Sequence, residues 1–277
     1  MLKNYVISLK SANKRRQHIT KQFSQQNVSF HFFEALMPSE QLKIAIRHFC
    51  PVLENSRKLT DGEKACMISH IALWQKCIDE NLPYIAIYED DVYLSNDSGT
   101  FLNNINWLEE RFTDKAVVIR LEASWIPAEH YHCSIISKVI RREFLTLATT
   151  QHGTAAYIIS NQAARILLQK CHALNESQIQ PFDHLLFDIW LNQPNYFICQ
   201  LSPAIAIQAD QHQQETNLTS QLQTARKERQ NLENTPKYTL KDYFIRLLTK
   251  PKRQREKQIY SAIEAYQKSR KTIVPFK

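Results

Sequence analysis

The stretch "YIAIYEDDVYLS", residues 84 to 95, closes an apolar run with three consecutive carboxylates. An apolar run of this length before a charged cluster reads as a strand and its tip. Glu89, Asp90 and Asp91 repel one another there, so a positive partner is required. In an open α/β sheet, ligands gather at the carboxyl ends of the strands. Adjacent hard oxygen ligands suit Mg²⁺ or Mn²⁺, above all when a substrate diphosphate completes the shell. A bound cation would also cancel the mutual repulsion. The plainer alternative is a solvated acidic turn.

Working outward from this strand, "TDGEKACMISHIALWQKCIDEN" (60 to 81) precedes it as a helix. It opens on a capping box, Thr60 with Glu63, and carries apolar positions at Ile68, Ile71, Ala72 and Ile78. Further upstream lie a strand at "NYVISL" (4 to 9), a polar helix over 14 to 26 and a strand at "VSFHFFEAL". Downstream come a helix around "FLNNINWLEERF" and a strand at "AVVIRL" (116 to 121). Strands at "EFLTLATT" and "TAAYIIS" then flank "QHG", and a helix follows with Ser160 as N-cap. "PFDHLLFDIWLNQ" reads as a further helix and "YFICQL" as a strand. Alternating helices and strands argue for a mostly parallel sheet covered by helices, becoming mixed after Glu122.

The 277 residues, 43% of them hydrophobic, suffice for one large α/β domain or a domain with an appendage. No window holds the roughly 18 to 20 apolar residues of a membrane span. "MLKNYVISLK" reads as a first strand and not as a signal peptide. Six scattered cysteines without a C-x-x-C pair suit free thiols in a cytosolic protein. Cys66 and His70 stand four apart without a second ligand pair, so structural zinc is not expected. Only three glycines occur, and neither G-x-G-x-x-G nor the Walker pattern is present, which disfavours dinucleotide and P-loop functions. Gly153, between two strands, suits a tight approach or a positive φ.

The net charge of +8 is concentrated in the tail. Lys237 to Lys277 hold twelve Lys/Arg against three Asp/Glu, a net of +9, leaving residues 1 to 236 at −1. After about Gln211 the chain turns polar and then basic. The expected organisation is therefore a main domain over 1–210 and a polar, basic, largely helical extension over 211–277. Such a tail can bind anionic lipid, nucleic acid or nothing.

Taken together, "VISL…KRR", "TDGEKACMISHIALW", "YIAIYEDDVYL", "HGTAAYIIS" and "PFD" resemble glycosyltransferase family 25 over about residues 1 to 210. The resemblance implies a GT-A-like, Rossmann-like mixed sheet flanked by helices. It implies a UDP-hexose donor, UDP-galactose or UDP-glucose, and transfer with inversion to a lipooligosaccharide acceptor. "EDD" would be the family's version of the D-x-D motif. Asp91 is then the first metal ligand, and Glu89 and Asp90 either share the Mn²⁺ or Mg²⁺ or hold the ribose and donor sugar. Ser8 and Leu9 match the uridine-side loop, and Arg15 or Arg16 would neutralise phosphate, the alternative being solvated helix charge. Glu63 and His70 match the "GE…SH" stretch on the donor side, with a plain helix cap and a half-buried histidine as the alternatives. Gly153 and Thr154 match the loop before "AAY". Asp183 matches "P-x-D" as general base, with Asp188 in reserve. His212, near Asp210, is the candidate third metal ligand.

A lipid-linked acceptor gives the basic tail a use: peripheral attachment to the anionic cytoplasmic face of the inner membrane. The competing class is a metal-dependent hydrolase or phosphotransferase using the same carboxylates, recognised by release of sugar or phosphate without an acceptor. A nucleic-acid-binding role leaves "EDD" unexplained, and the nearly neutral body offers no second basic patch, so no nucleic acid partner is expected.

Overall fold

The computed structural model describes residues 1–191, 193–212 and 270–277. Its centre is a nine-stranded sheet built on β1 (Lys3–Ser8), β2 (His31–Glu34), β3 (Tyr84–Glu89), β5 (Val117–Arg120), β7 (Ala128–His132), β8 (Glu143–Leu147), β9 (Ala156–Ser160), β10 (Phe197–Ser202) and β12 (Lys271–Thr272). The order is β12-β7-β8-β10-β5-β9-β3-β1-β2. β1 runs parallel to β2 and β3, and β10 parallel to β5. β9 is antiparallel to both β3 and β5, between which it lies. The fold is thus the expected α/β class, a mixed sheet flanked by helices, and the antiparallel strands fall after Glu122.

The strands read as continuous apolar runs because both faces are covered. Side chains alternate between faces with period two. In β3, Ile85 and Ile87 join one core while Tyr84, Ala86 and Tyr88 join the other. β9 divides likewise, Tyr157 and Ile159 against Ala156 and Ile158. The first core is covered by α2 (Glu40–Phe49), α3 (Asp61–Asp79), α6 (Asn161–His172) and α7 (Phe182–His184), which continues as a π turn to Ile189. The second is covered by α1 (Asn13–Gln25), α4 (Ser98–Leu102) and α5 (Asn106–Phe112). α3 starts at the expected capping box, with Thr60 and Glu63 bonded reciprocally. Ser160 caps α6 by accepting from the Ala163 N–H.

β3 ends at the carboxylates, where the strand tip was expected. The chain turns at Asp90 and Asp91, and β4 (Val92–Leu94) enters a second, smaller sheet with β6 (Glu122–Ala123) and β11 (Ala206–Gln208). The order of its three strands is β4-β11-β6. Both β3 and β5 therefore leave the main sheet at their carboxyl ends and pass into the small one. The divergence opens a gap above the main sheet; on its small-sheet side the Ala209 N–H donates to the Asp91 carbonyl at 2.9 Å, extending the β4–β11 ladder.

Most of the extension expected over 211–277 lies outside the described residues. Its last eight pack on the body. β12 pairs antiparallel with β7, and Val274 is buried against Ala123, Ala204 and Ile207. Arg142 donates to the Lys277 carbonyl at 2.7 Å.

Candidate functional site

The three carboxylates of "EDD" diverge. Asp90 turns toward β1 and α1, where Ser8 Oγ donates to its Oδ2 at 2.6 Å and Arg15 donates to its Oδ1. The second Arg15 nitrogen reaches Asp91 Oδ2 at 3.4 Å. Arg15 sits in the first turn of α1, so the β1–α1 connection delivers a guanidinium directly onto the strand tip. The Arg15 guanidinium therefore pairs with both Asp90 and Asp91. Asp91 is 7% exposed, and its Oδ1 has no hydrogen-bond partner among the described residues. Burial pushes the Asp91 carboxyl from 3.8 to about 7, with Glu89, Asp90 and Asp210 adding to the rise and Arg15 opposing it. A buried carboxyl oxygen without a hydrogen-bond partner among the described residues, close to further carboxylates, fits a divalent cation, which would take the place of the proton.

Glu89 points the other way, into the gap. Thr154 donates to its Oε1 at 3.0 Å, and His70 Nε2 lies 3.8 Å from the same oxygen. His70 is fully buried between Phe182 and Tyr157. Trp74 Nε1 donates to the Tyr157 hydroxyl, which is 3.0 Å from His70 Nδ1. That hydroxyl already accepts from Trp74, so its own proton is best placed on His70 Nδ1. The imidazole proton then sits on Nε2, facing Glu89.

The opposite wall rests on a buried ion pair. Arg120 and Glu122 are 1% and 0% exposed, with nitrogen and oxygen 3.3 Å apart. Arg120 donates to the His152 carbonyl, and Glu122 Oε2 accepts from the Ala155 N–H at 2.9 Å. The pair thus clamps the loop 152–155 from below. Burial pushes the Glu122 carboxyl up to about 8, opposed by Arg120, while Glu89 and Asp91 add to the rise. Gly153 passes over Glu122 with φ +89°, and a Cβ there would stand 2.5 Å from Glu122 Oε1. Both the backbone conformation and the close approach require glycine. From this fixed loop the Gly153 N–H donates to Asp183 Oδ2 at 3.1 Å.

These groups line a cleft of about 210 Å³ that includes Glu63, Glu89, Gly153, Thr154, Asp183 and Asp210. The profile of "Glycosyltransferase family 25 (LPS biosynthesis protein)" matches residues 1–186. The chain belongs to glycosyltransferase family 25. It is 42% identical over 277 residues to "Lipooligosaccharide biosynthesis protein lic2B" of Haemophilus influenzae, covering 99% of each chain. It is 38% identical over 284 residues to "Lacto-N-neotetraose biosynthesis glycosyltransferase LgtB" of Neisseria meningitidis serogroup B, covering 99% of this chain and 100% of that one. A third relative, "Lacto-N-neotetraose biosynthesis glycosyltransferase LgtE" of the same organism, is 38% identical over 208 residues, 75% of this chain and 74% of that one.

In this glycosyltransferase the structure gathers most, but not all, of the residues singled out from sequence. Ser8, Arg15, Glu89, Asp90 and Asp91 meet at the tips of β1 and β3. Glu63 serves as the helix cap and lines the cleft as well. Arg16 is directed at backbone, donating to the Ser8 and Leu9 carbonyls at 3.1 Å and lying over the Phe32 ring. It holds the β1–α1 turn in shape. Asp188 is exposed and does not line the cleft, whereas Asp183, five residues earlier, does. His212 stacks on Tyr93 with centroids 4.4 Å apart and lines a separate recess. Gln208, Asp210 and Gln211 of that stretch line the cleft, and Asp210 is the carboxylate among them. Sequence reasoning passed over Arg120 and Glu122, although two charges inside the apolar run "AVVIRLEA" signal a buried pair.

Proposed function

We propose that this glycosyltransferase is metal-dependent and moves a galactose or glucose residue from a UDP-sugar to a lipooligosaccharide glycan with inversion. The observation that carries this reading is the Asp91 carboxyl: buried, pushed up to about 7, and with one oxygen unpartnered among the described residues. The names printed for the relatives support the acceptor class. Asp91, whose carboxyl Glu89 and Asp210 push up, would be the first ligand of Mn²⁺ or Mg²⁺. Glu89, turned into the cleft that Asp210 also lines, would have to rotate to join it, with Asp210 taking the role first expected of His212. The ion supplies charge stabilisation for the departing diphosphate. Ser8 and Arg15 fix Asp90, which keeps the β3 tip rigid beside the donor. Thr154 orients Glu89 by donating to its Oε1, with His70 Nε2 3.8 Å from the same oxygen. The cleft is small beside the roughly 300–1,000 Å³ of ordinary ligand pockets, and seats the sugar end of the donor. Asp183, oriented by the Gly153 N–H, takes the proton of the attacking acceptor hydroxyl.

The direct test is a screen of UDP-sugars with and without Mn²⁺, read by product formation on a lipooligosaccharide acceptor. Release of free sugar at the same rate without acceptor would replace transfer by hydrolysis. Asp91→Asn is expected to lower turnover about 10²- to 10³-fold, the scale of losing one charge-stabilising group. A pH dependence accompanies it. The folded Asp91 carboxyl holds its proton above the ordinary 3.8, so the metal-free protein loses stability as pH rises from about 4 to about 7. A cation displaces that proton, so its affinity falls as pH drops below about 7. Mn²⁺ should therefore raise the melting temperature more at about pH 8 than at about pH 5.5. Asp91→Asn should remove most of that difference; an unchanged Mn²⁺ response would put the ion elsewhere.

Among the described residues no helix is long and apolar enough to cross a membrane. We assign attachment at the cytoplasmic face of the inner membrane to the basic residues 250–268, which lie outside the described residues. Each cation near an anionic bilayer contributes about 1 kcal/mol. Reversing Lys252, Arg253, Arg255 and Lys257 to Glu should abolish sedimentation with anionic vesicles at low salt, and leaves the docked residues 270–277 in place. Binding equal to the unaltered protein would exclude this role.

A further inference from the structure

We propose that His152, Asp183 and His184 form a binding site for a divalent transition-metal ion of the zinc class. It sits on the rim of the cleft that Glu89 also lines and shares no ligand with the site at Glu89 and Asp91. Each of the three offers a ligand atom, and these atoms all lie within 4.8 Å of one another. His152 Nδ1 is 3.8 Å from Asp183 Oδ2, and the two imidazoles stand edge to face with centroids 4.7 Å apart. Tetrahedral zinc with bonds of about 2.0–2.1 Å sets its ligand atoms about 3.4 Å apart. The three atoms need to close by no more than about 1.5 Å, which half-exposed side chains achieve by small χ rotations.

The backbone beneath these side chains is already fixed. The His152 carbonyl accepts from the buried Arg120, and the Gly153 N–H holds Asp183 Oδ2. His184 follows Asp183 in α7, whose next residues Leu185 and Leu186 are fully buried. Such support is what orients ligands in metal sites. The donor set decides the class of ion. Two imidazoles and one carboxylate favour zinc, whereas the all-carboxylate group at the β3 tip favours Mg²⁺ or Mn²⁺. Three protein ligands leave the fourth zinc position to water.

Occupancy would engage the Asp183 carboxylate, so zinc should inhibit transfer. This consequence rests on Asp183 being the base; the binding site does not. The test uses the full-length, metal-stripped protein in saturating Mg²⁺, titrated with Zn²⁺ by calorimetry and with Co²⁺ by its visible absorption. Binding of one ion that depends on both His152 and His184 is expected, with tetrahedral Co²⁺ bands, distinct from any ion taken by Cys66, His70 and Glu89. His152→Ala and His184→Ala should each weaken it about tenfold or more, since even outer-shell partners are worth that much. Asp91→Asn should leave it unchanged. Thermal melts establish that the variants fold, and His184→Gln serves should His184→Ala not. No binding, equal binding by both His variants, or loss of binding in Asp91→Asn would overturn the site. In the transfer assay, Zn²⁺ should suppress turnover of the unaltered protein and suppress His184→Ala at least about tenfold less readily. Zinc bound through both histidines with turnover intact would keep the site and overturn Asp183 as base.

Discussion

Asp183→Asn is expected to lower turnover by about 10²- to 10⁴-fold, the usual contribution of a general base. The substitution keeps size and hydrogen-bond acceptance while removing the ability to take a proton. The Gly153 N–H can still donate to the amide oxygen that replaces Oδ2, so the loop 152–155 has no cause to move. Asp183 lines the cleft and Asp91 lies at the β3 tip, so UDP affinity, read as a thermal shift, should stay close to that of the unaltered protein. A KM for the donor that rises while kcat holds would put Asp183 on the donor side. Normal turnover would remove it from the mechanism altogether, and Asp188 is no substitute, being exposed outside the cleft.

Asp183 is marked in the sequence only by the resemblance at "PFD", whereas Glu122 carries a local signal, a charge inside an apolar run, that was passed over. α3 and β3 announce themselves through a capping box and an unbroken apolar run, both local. The "EDD" cluster likewise states its own electrostatic problem. Its partner does not: Arg15 is 75 residues away, and only the β1–α1 turn, held by Arg16 on two carbonyls, brings it to Asp90. The small sheet was invisible because β4, β6 and β11 are two or three residues long, too short to show a period. α2 was legible and overlooked: Ser39 caps it by accepting from the Leu42 N–H, and Leu42 and Ile46 stand four apart on its buried face. The choice between Asp210 and His212 depends on how the chain leaves β11. Tyr93 on the neighbouring strand draws the imidazole away, and no local pattern records that. Gly153 was singled out because glycine is scarce; what it approaches, Glu122, became known only from the fold.

Glu122→Leu is expected to cost about 3–5 kcal/mol of stability, the scale of breaking a buried ion pair from one side. Glu122 is the only ion-pair partner described for Arg120, and both are sealed from solvent. Arg120 stays protonated in a protein interior. Its Nε and Nη1 already have no hydrogen-bond partner among the described residues, so the Glu122 charge and the Phe187 ring, 5.3 Å away, carry its compensation. Leucine removes that charge and also leaves the Ala155 N–H without its acceptor. Glu122→Gln separates the two losses, because the amide oxygen can still accept from Ala155 while the charge is gone. The burial that pushes the Glu122 carboxyl up to about 8 acts against the ionised form, so the cost of Glu122→Gln reports which form the pair holds near neutrality. The double variant Arg120→Met, Glu122→Leu should recover much of the stability, since a buried pair exchanged for apolar groups of similar volume is often neutral. Its turnover should not recover, because the His152 carbonyl loses the Arg120 donor and the loop presenting Gly153 to Asp183 loses its clamp. Denaturant melts of the four proteins beside kcat measurements decide the matter. Glu122→Leu unfolding within about 1 kcal/mol of the unaltered protein would mean that the pair contributes little and that the loop is held by other contacts.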